Sequence, residues 1–122
     1  QLDAIASMRP EVAALLLGVA ARQPAMNDDL YATMLQLYRE SRPAEILPIS
    51  DAIGGLSKAE RSAQDELMHV MLVDRNAVMA DRAAPLIASG GAFIAVGALH
   101  LTGKDGLIER FRAMGYKVER KW

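Results

Sequence analysis

The chain has 122 residues, of which 52% are hydrophobic and 24% are charged, a composition typical of one globular domain. Its net charge of −1 provides no basic field that would attract nucleic acid. There are no cysteines, which excludes disulfides and thiolate chemistry. The longest apolar run, 12–21, is too short to span a bilayer, so no transmembrane segment is predicted.

The first two-thirds of the chain are predicted to be helical. In the first helix, apolar residues recur three or four positions apart, at Val12, Leu15, Leu16 and Val19. Pro10 either begins this helix or kinks it. A second helix is predicted to begin at 27–29, a run that supplies a cap and negative charges for the first turn. Pro43 and Pro48 are then expected to bracket a loop or short turn.

A third, long helix has a specific start signal. Ser57 and Glu60 form the S-x-x-E pattern of a capping box. The helix is expected to run toward Ala84, where Pro85 either kinks it or starts a separate last turn. The glycine pair 90–91 is expected to end it.

After these glycines the pattern changes from helical to strand-like. The run 92–96 is continuously apolar, which favours a strand buried on both faces. A helix capped by Thr102 and ended by Gly115 is predicted next, and 116–120 alternates like a final strand. The sequence therefore predicts an α/β fold with an α+β-like layout. Its helical N-terminal two-thirds would pack on a small sheet that ends in a right-handed β-loop-α-β unit.

The loop 97–103 leaves the carboxyl end of the predicted strand, the edge at which α/β sheets bind their ligands. Gly97 and Gly103 permit sharp turns, and His100 lies between them. A histidine there can ligate a metal through its neutral imidazole or transfer a proton near neutral pH. The alternative is a histidine that only hydrogen-bonds within the loop.

Arg75 and Asn76 lie in the middle of the predicted long helix. Arg75 is one helical turn from three apolar residues, Met71, Leu72 and Met79. A guanidinium in such surroundings either holds an anionic group, forms a structural ion pair, or extends its head to solvent. Helix position alone favours the two structural alternatives. His69 does not have the spacing of a zinc-binding helix, so we expect it to face solvent or the edge of the core.

The segment 91–103 resembles the C-terminal signature of the TraB/GumN family, to which the Tiki proteases are also related. The family's Gly-x-x-His motif is matched here by Gly97 to His100, and its helical Arg-Asn element by Arg75 with Asn76. Three further segments fit the family pattern: 37–39, 106–108 and 115–118. The resemblance covers most of the chain.

The resemblance implies a metal-dependent hydrolase, and a peptidase is one form of it. Family members carry two Gly-x-x-His motifs and an acidic residue, which are thought to assemble a site for a divalent metal such as Mn, Co or Zn. His100 would be the second-motif histidine, acting as metal ligand and catalytic residue, and Arg75 would support the site or bind substrate. Asn76, Gly97 and Gly103 are the candidate ligand-binding positions. The resemblance also suggests a bacterial periplasm or cell envelope as the location.

The first Gly-x-x-His motif of the family is absent from this chain, which has only two histidines. Because a catalytic metal site typically uses about three protein ligands, we expect residues 1–122 to be a single partial domain, the C-terminal portion of a TraB/GumN-type domain, inactive by itself. A half-domain leaves a sheet edge and an apolar face uncovered, so the expected partner is a second copy (a homodimer) or the missing N-terminal half. The alternatives are a non-catalytic ligand- or partner-binding regulatory module and a plain helical interaction domain.

Overall fold

The computed structural model describes residues 6, 8–22, 24–53 and 55–121. The chain divides into two compact units, Gln1–Met71 and Leu72–Trp122. Throughout the described ranges the regular structure is helical, and none of these residues lies in a β-strand. None of the helices there combines the length and the hydrophobicity that crossing a membrane requires.

The first unit is built from consecutive helices. In chain order they are α1 (Pro10–Arg22), α2 (Pro24–Arg39), a short 3-10 helix (Pro43–Glu45), α3 (Ile46–Ile53) and α4 (Lys58–Met68). Pro10 is the first residue of α1, where its missing N–H costs no hydrogen bond, so it begins the helix. Helix α2 begins at Pro24, ahead of the predicted start at 27–29. The expected loop between Pro43 and Pro48 is largely helical.

Helices α1 and α4 pack against each other in the first unit. Each buries a side chain in the core: Val12 and Ala63. Arg9, just before α1, pairs with Glu66 at 2.6 Å, and Arg22, at the end of α1, pairs with Glu60. Since Glu66 is near the end of α4 and Glu60 near its start, the two helices run antiparallel.

The predicted capping box begins α4, as expected. The backbone N–H of Glu60 donates to Ser57 Oγ at 3.3 Å, and the backbone N–H of Ser57 donates to Glu60 Oε2 at 2.8 Å. The Ser57 side chain, its backbone N–H and then Arg22 lower the pKa of Glu60 from 4.5 to about 2. The carboxylate is therefore held in its ionised form by the helix start itself.

A π-helix, His69–Asp74, follows α4 directly and leads into α5 (Arg75–Ala88). The single long helix predicted from the sequence is thus divided by a stretch of wider helical winding. Pro85 lies inside α5 and does not start a separate turn. Gly90 and Gly91 end this region with φ of 79° and 70°, conformations that glycine adopts without the steric cost of a side chain.

The second unit is completed by a 3-10 helix, Ala98–His100, and by α6 (Leu107–Ala113), which packs on α5. Ala80 on α5 and Leu107 on α6 are each 1% exposed. The N-cap of α6 is Gly106, so the predicted cap at Thr102 lies too early in the chain. Gly115, with φ of 91°, ends the helix as predicted.

The predicted α/β fold is wrong, because neither expected strand is formed in the described part of the chain. Residues 92–96 and 116–120 have no regular secondary structure. Phe93 is 92% exposed and Ile94 41%, so this segment is not buried on both faces either. A strand needs a second strand for its backbone hydrogen bonds. The described residues provide none, and the predicted β-loop-α-β unit is reduced to its loop and its helix.

Candidate functional site

The candidate site in the second unit begins at the junction of the π-helix with α5. Arg75 and Asn76 are the first two residues of α5, and Asn76 is only 2% exposed. A π-helix changes the direction in which the following side chains leave the helix, and such stretches are frequent at functional sites. Sequence periodicity gives no signal for this change in winding, because it assumes a regular helix throughout.

The loop that carries His100 is formed by two successive turns. The backbone N–H of His100 donates to the Gly97 carbonyl at 2.9 Å, and the backbone N–H of Gly106 donates to the Gly103 carbonyl at 3.0 Å. Gly103 has a φ of 78°, a backbone conformation that favours glycine. Gly97, by contrast, has φ −62° and ψ 144°, which any residue adopts. Of the two glycines that the sequence singles out, only Gly103 is required by backbone conformation.

Asn76 connects α5 to this loop. Its Nδ2 donates to the backbone carbonyl of Asp105 at 2.9 Å, and its Oδ1 lies 2.7 Å from Nδ1 of His100. Both polar groups of the side chain are therefore used within the protein. Asn76 thus links helix α5 to His100 and to the Asp105 carbonyl, and its role in ligand binding stays a prediction.

The Asp105 carbonyl accepts a second hydrogen bond from the opposite side. The Nε of Arg110, on α6, donates to it at 3.0 Å, and the Nη2 of Arg110 lies 3.4 Å from the carbonyl of Val73 in the π-helix. Arg110 thus ties α6, the loop and the π-helix together. Asp105 and Arg110 were not among the predicted site residues, since a backbone acceptor leaves no trace in a residue pattern.

The electrostatic surroundings of His100 favour its neutral form. The residue is half-buried, and this burial lowers the pKa of its imidazole. The positive charge of Arg75 lowers the pKa further. No residue in the described ranges forms a hydrogen bond with the Nε2 nitrogen of His100. A neutral imidazole with one nitrogen free of protein contacts can accept a proton or ligate a metal.

Arg75 is half-buried, and no residue that the structure describes forms a hydrogen bond or ion pair with it. The structural ion pair that the sequence allowed is therefore not found in this part of the chain. Its influence on His100 shows that the two side chains are near enough to interact electrostatically. His69 is exposed and lies in the π-helix, in agreement with the solvent-facing position expected for it.

An apolar groove of about 340 Å³ lies elsewhere in the second unit. It is formed by α5, α6 and the segment 93–96, with Met79, Leu86 and Phe111 among its walls. None of the site residues predicted from the sequence (His100, Arg75, Asn76, Gly97 or Gly103) lines it. The groove and the His100 loop are thus separate features of the same unit.

Comparison with known proteins agrees with the resemblance of the loop and the helix. The chain matches the TraB/PrgY/gumN family over residues 1–120, nearly its whole length. The chain belongs to the TraB/PrgY/gumN family. No curated protein and no solved structure gives a significant match to it.

The metal site implied by the TraB/PrgY/gumN resemblance can be compared with the side chains present. In the part of the chain that the structure describes, no three histidine, cysteine, aspartate or glutamate side chains are grouped closely enough to hold a metal ion. His100 fits one ligand position, because its Nε2 has no hydrogen-bond partner among the described residues and its Nδ1 is hydrogen-bonded to the protein, as metal-ligating histidines usually are. These residues thus provide one ligand and not a complete set.

Proposed function

We propose that this chain is the C-terminal part of a metal-dependent hydrolase, possessing one half of the active site and inactive by itself. Within the assembled enzyme, His100 would supply one ligand for a divalent ion, Mn²⁺, Co²⁺ or Zn²⁺. The observation that carries the proposal is the placement of His100: half-buried, favoured as neutral, and with Nε2 free of described protein partners. A bound divalent ion in hydrolases lowers the pKa of a coordinated water molecule.

The neighbouring Arg75 has a separate role in this proposal. Its guanidinium has no described partner, so it is available to hold an anionic oxygen of the substrate through charge-assisted hydrogen bonds. Peptide hydrolysis is one form of the reaction, since a carbonyl oxygen gains negative charge as water attacks it. The proposal further includes a periplasmic or cell-envelope location, which follows from the family resemblance alone.

Calorimetry with divalent ions tests the proposal on the chain as it stands. We expect Mn²⁺, Co²⁺ or Zn²⁺ to bind the unmodified chain more weakly than a complete site would, because one ligand is present among the described residues, and to lose this binding in His100→Ala. His69→Ala is the matched control, because it removes the chain's other histidine from an exposed position. Equal binding by His100→Ala and the unmodified chain, or no binding by either, would contradict the proposal.

The alternative function is a non-catalytic module that binds a ligand or a partner through the loop 97–103. It is favoured by the shortage of metal-ligating side chains around His100 in the described ranges. A chain that binds no divalent ion but gains thermal stability with a carboxylate ligand would support this alternative. In that case the gain should be lost in Arg75→Gln.

The partner that we propose is a second copy of the chain, and the missing N-terminal half is the other candidate. Phe93 is almost fully exposed, and the described residues form no backbone hydrogen bonds to the segment 92–96. An apolar segment with unused backbone groups is a template for strand pairing. Light scattering should give the mass of a dimer for the unmodified chain and of a monomer for Ile94→Pro, which removes a backbone donor. A monomeric mass for the unmodified chain at micromolar concentration would count against the homodimer.

A further inference from the structure

The side-chain amide of Asn76 lies between a histidine nitrogen and a backbone carbonyl, and these two neighbours differ in their ability to donate a hydrogen bond. The Asp105 carbonyl oxygen can only accept a hydrogen bond. The Asn76 group that faces it, at 2.9 Å, must therefore be the amide nitrogen, which donates. This fixes the orientation of the amide, and its oxygen necessarily faces His100.

The oriented amide then determines the state of the imidazole. Asn76 Oδ1 is an acceptor, and it lies 2.7 Å from Nδ1 of His100. A hydrogen bond across this distance requires a proton on Nδ1. In the neutral imidazole only one nitrogen carries a proton, so a proton on Nδ1 leaves the lone pair on Nε2.

We propose that Asn76 is a positioning residue that holds His100 in the Nδ1–H tautomer, so that Nε2 is the nitrogen presented for ligation or proton transfer. The proposal deepens the proposed function and rests on it for the use of Nε2. Asn76 touches neither metal nor substrate in this arrangement. It acts through His100, in the way that hydrogen-bond partners behind metal-ligating histidines fix ring orientation and tautomer.

The surroundings of Asn76 make a reversal of its amide unfavourable. Asn76 is 2% exposed, so water is not available to replace a lost partner. A reversed amide would direct its oxygen at the Asp105 carbonyl and its N–H groups at His100. The carbonyl is in turn held in place by the Nε of Arg110 at 3.0 Å. The tautomer of His100 is thus specified by a chain of hydrogen bonds that extends to α6.

Long-range ¹⁵N–¹H correlation of the histidine rings, in the metal-free chain above the pKa of histidine, reads the tautomer directly. We expect His100 Nδ1 to be protonated and Nε2 to have the shift of an unprotonated nitrogen, with an excess of about tenfold or more over the other tautomer. A His100 ring protonated at Nε2, or an equal mixture of the two tautomers, would overturn the proposal.

Asn76→Ala removes the acceptor for Nδ1–H. We expect His100 in this variant to lose its preference and to show a mixture of the two tautomers, while the amide spectrum shows whether the unit remains folded. A folded variant that keeps the Nδ1–H tautomer would overturn the role of Asn76. If the variant does not fold, the tautomer measured in the unmodified chain still tests whether His100 is held in the Nδ1–H form. The tautomer is measured without metal, so the two proposals can fail separately. If His100 is the Nδ1–H tautomer but binds no metal, the proposed function is rejected and the positioning role of Asn76 remains.

Discussion

Gly106 lies where the His100 loop enters helix α6, and its environment leaves no space for a side chain. A Cβ built there would be 2.3 Å from the Thr102 carbonyl oxygen and 2.6 Å from that of Leu101. Because both atoms belong to the backbone, neither can move aside without shifting the loop. Its φ of −71° is open to any residue, so the requirement is for space and not for an unusual conformation.

We therefore predict that Gly106→Ala destabilises the protein by about 1–3 kcal/mol, as overpacking typically does, and displaces the loop. Gly97→Ala is the matched control, since a Cβ there meets only the ring Cδ2 of His100 at 3.8 Å, an ordinary contact. It should leave the unfolding midpoint nearly unchanged. Chemical denaturation of both variants measures their free energies of unfolding, and equal losses at the two glycines would contradict the tight packing at Gly106.

Glu60 provides a prediction about pH. Its pKa is lowered from 4.5 to about 2 in the folded chain, so its ionised form stabilises the fold. The contribution is complete above the unfolded pKa of 4.5 and is lost as the pH falls toward 2. We expect Glu60→Gln to have a lower thermal midpoint than the unmodified chain at neutral pH. In acid the thermal midpoints of the two proteins should become similar.

Thermal melts across this pH range measure the effect. Glu109→Gln, which removes an exposed ion pair with Arg112, controls for the loss of one carboxylate. A deficit of Glu60→Gln that stays constant between neutral and acid pH would contradict the assigned hydrogen bonds.

At the scale of elements, two helices end in the same way with different residues. After α2, the backbone N–H groups of Ser41 and Arg42 donate to carbonyls of the last helical turn, and Ser41 has a φ of 60°. After α6, Gly115 takes the equivalent position with φ 91°. Both are Schellman-type ends, in which the residue after the helix adopts a left-handed conformation that glycine takes without steric cost.

We predict that Ser41→Gly stabilises the protein by roughly 0.5–1 kcal/mol. The change removes the steric cost of a left-handed serine, and the greater conformational freedom of glycine in the unfolded chain offsets part of that gain. The reciprocal change, Gly115→Ser, should destabilise it by a similar amount. Urea unfolding of both variants provides the measurement. A destabilised Ser41→Gly would mean that the serine side chain makes a stabilising contact.

Two ends of elements could be predicted from local sequence signals. The capping box at Ser57 and the terminator at Gly115 are formed as expected, because each depends on residues a few positions apart. The π-helix and the true start of α6 at Gly106 were not predicted. The role of the Asn76 amide could not be predicted either, because its partners are 24 and 29 residues away in the sequence.

At the scale of the whole molecule, the predicted sheet failed for a physical reason visible at 92–96. Apolar composition favours a strand only if another strand supplies backbone partners and covers the side chains. Here Phe93 remains exposed, and the described residues provide neither a second strand nor a cover for its side chain. The family assignment was nevertheless correct, because it rests on the Gly97–His100 motif and its flanking residues and not on the pairing of strands.

The central claim is that His100 offers Nε2 to a divalent ion while Nδ1 stays protonated against Asn76. The most direct test is a Zn²⁺ titration of the ¹⁵N-labelled chain, followed at the ring nitrogens of both histidines. We predict that the Nε2 resonance of His100 shifts with added Zn²⁺, that its Nδ1 remains protonated, and that His69 responds only weakly. A His100 ring that is unaffected by a large excess of Zn²⁺, or that binds through Nδ1, would contradict the account.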